Sequence, residues 1–180
     1  MRPATRSRHP RLRRFAFIVA ALLIAVLLIP ERAVIPVAGA TARDWNPRSF
    51  WFAPWGRSGV HKGIDIFAPR GRPVVAATAG VVLFRGEIAD GGTVIAVLGP
   101  KWRVHYYAHL DTLAPDARGW VSTGTPLGTV GDSGNARGKP PHLHYSVLSL
   151  LPLPWRYTPG IQGWRRMFYL DPGAGLTRND

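Results

Sequence analysis

From Phe50 onward the chain never sustains a helical period. Apolar runs of four to eight residues alternate with breaks that carry Gly or Pro, and this punctuation restricts the fold to β structure. Val74–Ala77, Gly80–Phe84, Thr93–Leu98, Trp102–His109, Pro126–Val130 and His142–Leu148 read as strands. Asp90-Gly91-Gly92 and Gly99-Pro100 supply the tight turns of an antiparallel meander. With 20 Gly and 17 Pro in 180 residues, breakers are plentiful, while 46% hydrophobic content and seven Trp suffice for one core. The expected fold class is all-β: an antiparallel β-sheet domain over residues 50–150, preceded by a hydrophobic N-terminal helix.

That helix is read from six arginines (Arg2, Arg6, Arg8, Arg11, Arg13, Arg14) followed by the apolar run Phe15–Ile29. A basic stretch ahead of an apolar one is the order of an export signal. Fifteen helical residues cover ~23 Å, short of the ~30 Å hydrocarbon core of a bilayer, which fits a cleavable signal. The first small-x-small site, Ala38-Gly39-Ala40, lies well beyond the run, which fits an uncleaved anchor. Residues 1–32 are thus a signal peptide or membrane anchor, and Pro-containing residues 33–49 are expected to be a linker. Either way the domain is expected outside the cytoplasm, in the periplasm or cell envelope, anchored at the inner membrane or secreted.

Charge is consistent with that address. The chain carries +13 overall, and +7 remains from Arg43 onward (16 basic and 9 acidic residues). A basic exported domain suits an anionic cell-wall polymer or a membrane surface, and nucleic acid is not an expected partner. The absence of Cys removes disulfides and thiolate metal sites, leaving His and carboxylate as ligands.

Such ligands are present at suggestive spacings. In His142-Leu143-His144 the two imidazoles fall on one face of a strand, so one can bind a metal while the other moves protons beside it. His61 and Asp65 stand four apart around Gly63 and β-branched Ile64, ahead of Pro69, which favours an extended segment presenting both. His61, Asp65 and one of the His142/His144 pair would make a three-ligand zinc set with an open fourth position. On the strand Trp102–His109, alternation predicts that His105, Tyr107 and His109 share a face, one imidazole carrying protons and the others lining a groove or packing. The Gly-rich run Gly128–Asn135 lacks the Lys-Ser/Thr and helix of a phosphate loop and reads instead as a tight loop through which a polymer approaches the metal.

Together these elements form a pattern. His61-x3-Asp65, Asp65-Ile66-x-Ala68-Pro69, Tyr107-Ala108-His109-Leu110, Gly124-x-Pro126-Leu127-Gly128 and Gly134-Asn135-Ala136-x-Gly138-x-Pro140-Pro141-His142-Leu143-His144 occur in that order. The chain therefore resembles the lysostaphin-type (LytM-like) zinc peptidoglycan endopeptidases over roughly residues 58–148. The resemblance implies a β-sheet metallopeptidase domain with one Zn2+ per chain, bound by His61, Asp65 and His144, with His109 and His142 as catalytic histidines. It also implies peptidoglycan peptide cross-links as substrate. Tyr107, Asn135 and Trp55 are expected to line the substrate groove. Some relatives have a Tyr just before the first ligand to polarise the scissile carbonyl; here the local aromatics are Trp51, Phe52 and Trp55. The alternative that the resemblance implies is a non-catalytic adaptor that activates cell-wall amidases. Residues 151–180, aromatic and basic, are expected to pack back onto the sheet, or else to meet a membrane surface.

Overall fold

The computed structural model describes residues 10–176; Arg2, Arg6 and Arg8 of the expected signal, and residues 177–180 of the C-terminal extension, lie outside the described residues. Nine strands are found among them: β1 Ile64–Phe67, β2 Pro73–Val75, β3 Gly80–Ile88, β4 Gly92–Gly99, β5 Arg103–Leu113, β6 Trp120–Val121, β7 Pro126–Val130, β8 His142–Ser149 and β9 Tyr169–Leu170. Every pairing is antiparallel, in the order β1-β8-β5-β4-β3-β6, with β7 joining β2 and β5, and β9 on β8. The chain is all-β apart from short helical turns, α2 at Pro172–Leu176 and the N-terminal α1. The meander of β3, β4 and β5 follows the Gly-marked turns, although β3 and β5 each extend four residues further than the apolar runs suggest. The two-residue strands β6 and β9 are too short to leave a pattern.

Alternation along β8 sorts its side chains. Leu143, Tyr145 and Val147 enter the core, together with Ile64 and Ile66 of β1 and Tyr107 of β5. His142, His144, Ser146 and Leu148 face the opposite side, along an open groove. The register opposes Asp65 to His144 and Phe67 to His142, so β1 delivers its carboxylate directly across from one imidazole of β8.

One expectation changes. Residues 33–49 are not a free linker. Val37 and Trp45 are buried in the core, and Val37 bridges Val74. Backbone bonds run from Val34 N to Ala77 O (2.9 Å), Val75 N to Pro36 O (2.9 Å) and Ala38 N to Pro73 O (3.0 Å). Pro36 tolerates this edge position because only its carbonyl is used. Upstream, Glu31 pairs with Arg103 and lies 3.2 Å from His105 Nε2. Burial would raise the Glu31 carboxyl, but His105 and Arg103 outweigh it and hold it below the ordinary range.

The N-terminal helix α1 spans Pro10–Leu28. Because Arg11, Arg13 and Arg14 occupy its first turns, only Phe15–Leu28 is apolar. Among the described residues, no helix is long and apolar enough to cross a membrane.

The packing of residues 33–49 makes a definite prediction. Val37→Ala should destabilise the chain by about 2 kcal/mol, the cost of deleting buried methyl groups, read as a lowered denaturant midpoint. A change under ~0.5 kcal/mol, the range of surface substitutions, would mean the segment contributes nothing to the core.

Candidate metal centre

His61 reaches the groove from the segment just before β1. Its backbone N–H donates to Phe52 O (3.0 Å), its carbonyl accepts from Trp51 N (2.7 Å), and its ring stacks on Trp55 with centroids 4.1 Å apart. Three ligand atoms then converge. His61 Nε2 lies 3.1 Å from Asp65 Oδ1 and 3.1 Å from His144 Nδ1, and His144 Nδ1 lies 2.8 Å from Asp65 Oδ1. No other group of three or more His, Asp or Glu among the described residues has this geometry.

The chemistry of these atoms calls for a cation. Ser49 O stands 3.0 Å from His61 Nδ1 and, as a carbonyl, can only accept. Nδ1 therefore donates to it, which leaves Nε2 directed at the metal position. There Nε2 meets a carboxylate oxygen. Burial would push the Asp65 carboxyl up, but the contacts from His144 and His61 prevail and hold it well below the usual carboxylate range. Burial also lowers His144, despite the opposing pull of Asp65, so its imidazole is neutral at pH 7. Two imidazole nitrogens and an ionised carboxylate aimed at one point need a positive charge between them, either a shared proton or a metal ion. Edges of about 3 Å approach those of a tetrahedral zinc site with ~2.0–2.2 Å bonds. Donor set and spacing both fit Zn2+.

Two further imidazoles face the site. His142 Nδ1 donates to Pro140 O at 2.8 Å, and His109 Nδ1 donates to Ser133 O at 2.9 Å. In each case the carbonyl fixes the tautomer and leaves Nε2 as the free base. The ring centroids of His109 lie 5.1 Å from His142 and 6.0 Å from His144. Burial, with His144 and His142 nearby, lowers the His109 pKa to about 4.

His109 does not share a face with His105 and Tyr107. The pairing of β4 with β5 is irregular between Thr93 and Ile95, that of β5 with β7 between Leu110 and Thr112, and His109 itself has φ 64°. This bulge inserts one residue and turns His109 to the side of Ala108. Tyr107 is therefore not a groove residue: it is fully buried in the core, where its hydroxyl accepts from Ala77 N at 2.9 Å. His105 is buried on the same side, 2.7 Å from Tyr145 Oη. Tyr106 occupies the groove instead, opposite Ser146, and burial, helped by Asp90, raises its hydroxyl to about 12.

The groove, of about 750 Å³, is lined by all five of these His and Asp residues, by Trp55 and Asn135, and by Tyr106 and Tyr169. The carbonyls of Ser49, Ser133 and Pro140 that aim the imidazoles carry no sequence signal, since every residue has one. Tyr106 would be found only by recognising the bulge.

Comparisons with known proteins cover the same stretch of the chain. Residues 59–150 match the family described as Peptidase family M23. The L-Ala--D-Glu endopeptidase of Bacillus subtilis is 38% identical over 113 residues, covering 58% of this chain and 35% of that protein; the chain thus spans about a third of this relative's length. Among solved structures, a putative glycyl-glycine endopeptidase lytM from Ruminococcus gnavus superposes with a TM-score of 0.61 at 26% identity, over 93% of this chain and 68% of that one. The catalytic domain of lysostaphin from Staphylococcus simulans gives 0.57 at 22% identity, over 76% and 95%, a likeness of fold.

Two predictions test the site. In the metal-free protein the His109 ring should titrate near pH 4 in an NMR titration, and a midpoint near 6.5 would contradict the buried placement. Because the folded pKa lies below the unfolded one, stability should fall as pH drops from about 6.5 towards 4. Separately, a Cβ at Gly63 would lie 2.4 Å from Tyr145 O and 3.0 Å from His144 Cε1. Gly63→Ala should therefore displace His144 and weaken zinc binding roughly tenfold or more, as perturbed ligand support does, measured by chelator competition; unchanged affinity would exclude His144 as a ligand.

Proposed function

The chain belongs to Peptidase family M23, and on that premise we propose that it is a zinc metalloendopeptidase hydrolysing the peptide cross-links of bacterial peptidoglycan. The observation that carries the reading is the convergence of three metal-ligand atoms beside two imidazoles with free Nε2 atoms, in one open groove.

His61, Asp65 and His144 would hold the zinc, which when bound supplies a Lewis acid that acidifies water towards a pKa of ~7 and polarises a carbonyl. His142, fixed through Pro140 O, accepts at Nε2 the proton of the attacking water. The proton that His142 takes up passes to the leaving amine, and His109, neutral above about pH 4, offers a second Nε2 that accepts a hydrogen bond from the substrate. Trp55, against the back of His61, limits water on that side and stiffens the ring. No tyrosine precedes His61 in the Trp51–Val60 segment, so in this reading no phenol from that segment donates to the scissile carbonyl.

The cross-link between D-amino acids of stem peptides is proposed as the bond cut, rather than a glycine bridge. The proposed address is the cell envelope, with the N-terminal segment retained on the domain. What supports retention is that Ala38-Gly39-Ala40 lies within packed residues, so cleavage there would remove Val37 and Glu31 from the fold.

Purified sacculi incubated with the zinc-loaded chain should release muropeptides whose masses report hydrolysed cross-links. His142→Ala should retain one zinc per chain while losing at least ~10²-fold in rate. Intact sacculi, with zinc bound, would favour the non-catalytic adaptor reading, and zinc loss from His142→Ala would overturn the ligand assignment.

A further inference from the structure

One wall of the groove is built by residues beyond the stretch that matches the family. Tyr169 of β9 pairs with Leu148 of β8 and lines the groove. The turn before β9 reaches the rim beside the first metal ligand. There Gln162 Nε2 donates to Ser58 O at 2.8 Å, and Lys62 Nζ donates to the same oxygen at 2.9 Å. The Arg165 guanidinium in turn donates to Gln162 Oε1 at 3.1 Å. One carbonyl and one amide thus tie together two cations from distant parts of the chain.

This contact is held against local strain. Gln162 sits in the left-handed region at φ 53°, and opposite it Gly59 has φ 75°. Its positive φ favours glycine there, and a Cβ at Gly59 would lie 2.6 Å from Gln162 Nε2. Backbone strain at a non-glycine residue such as Gln162 persists where the surroundings over-determine it, and it gathers at ligand clamps.

The cations themselves are unneutralised. Among the described residues no carboxylate pairs with Lys62 or Arg165, since the acidic groups in ion pairs serve Arg57, Arg70, Arg103 and the histidines. Two like charges held near one another without a counter-ion repel, and an anion relieves the repulsion. Lys62 lines the groove and follows His61 directly, so an anion there would lie beside the metal centre.

We propose that Lys62 and Arg165, tethered through Gln162 and Ser58 O, form a carboxylate subsite that orients a peptide by its free carboxylate. The inference rests on the peptidase reading and adds which peptides the groove prefers: those keeping an ionised carboxylate near the scissile bond.

The test uses the zinc-loaded full chain and two cross-linked stem peptides whose cross-link is reduced and cannot be hydrolysed. One probe keeps its carboxylates; in the other each is a carboxamide. Calorimetry should show tighter binding of the carboxylate probe. Arg165→Gln and Lys62→Gln should each weaken that probe about threefold, and together about tenfold, in line with exposed charge pairs, while leaving the carboxamide probe unchanged. Arg165 is exposed, so its substitution tests the subsite without burdening the fold. Arg48→Gln, an exposed charge elsewhere, should change neither. Equal affinity for the two probes, or an equal loss from Arg48→Gln, would overturn the subsite and leave the peptidase reading intact. No binding of either probe would overturn both. Retained discrimination by a chain that leaves sacculi undigested would sink the catalytic reading alone.

Discussion

Three ligand atoms, two imidazole nitrogens and a carboxylate oxygen, are aimed at one point. The Ser49 carbonyl accepts from His61 Nδ1, which directs Nε2 towards Asp65 and His144. Such a cluster needs a positive charge at its centre, a proton or a metal ion, and burial sharpens that need. The fold must therefore hold the three groups in place around it. It does so with rigid elements: Asp65 and His144 on paired strands in direct register, and His61 pinned by backbone bonds on both sides and by the Trp55 ring.

The same economy extends to the two proton carriers. Each has its Nδ1 proton taken by a backbone carbonyl close at hand, Pro140 for His142 and Ser133 for His109. One hydrogen bond thereby sets tautomer and aim together. Strand alternation brings His142 to the groove without special geometry, whereas His109 needs a bulge and a left-handed backbone to arrive on the same side. Strain of that kind is tolerated where function over-determines it. A second left-handed residue, Gln162, lies in the C-terminal segment and reaches Ser58, which lines the groove.

Much of the scaffold was legible in the chain itself, because Gly- and Pro-marked turns and period-2 apolar runs state an antiparallel sheet locally. The candidate ligands were legible for a related reason: Asp65 and the His142/His144 pair lie on strands whose alternation is regular, while the choice of His144 within the pair came from the family resemblance. Regular alternation failed at Tyr107 and His109, where an inserted residue reverses the facing and no side chain announces it. The packing of residues 33–49 was hidden by their Pro content, which reads as a break although Pro36 uses only its carbonyl at an edge. Carbonyls that orient imidazoles, and the reach of Gln162 to Ser58, depend on tertiary approach and have no local signature.

His61, Asp65 and His144 together would grip one zinc ion. X-ray absorption at the zinc edge of the loaded protein reads that shell. It should show two imidazole nitrogens with carboxylate and water oxygens at ~2.0–2.2 Å, with multiple-scattering features counting two histidines. A shell with four imidazoles, with none, or with light ligands at the longer distances of a loosely hydrated ion would contradict it.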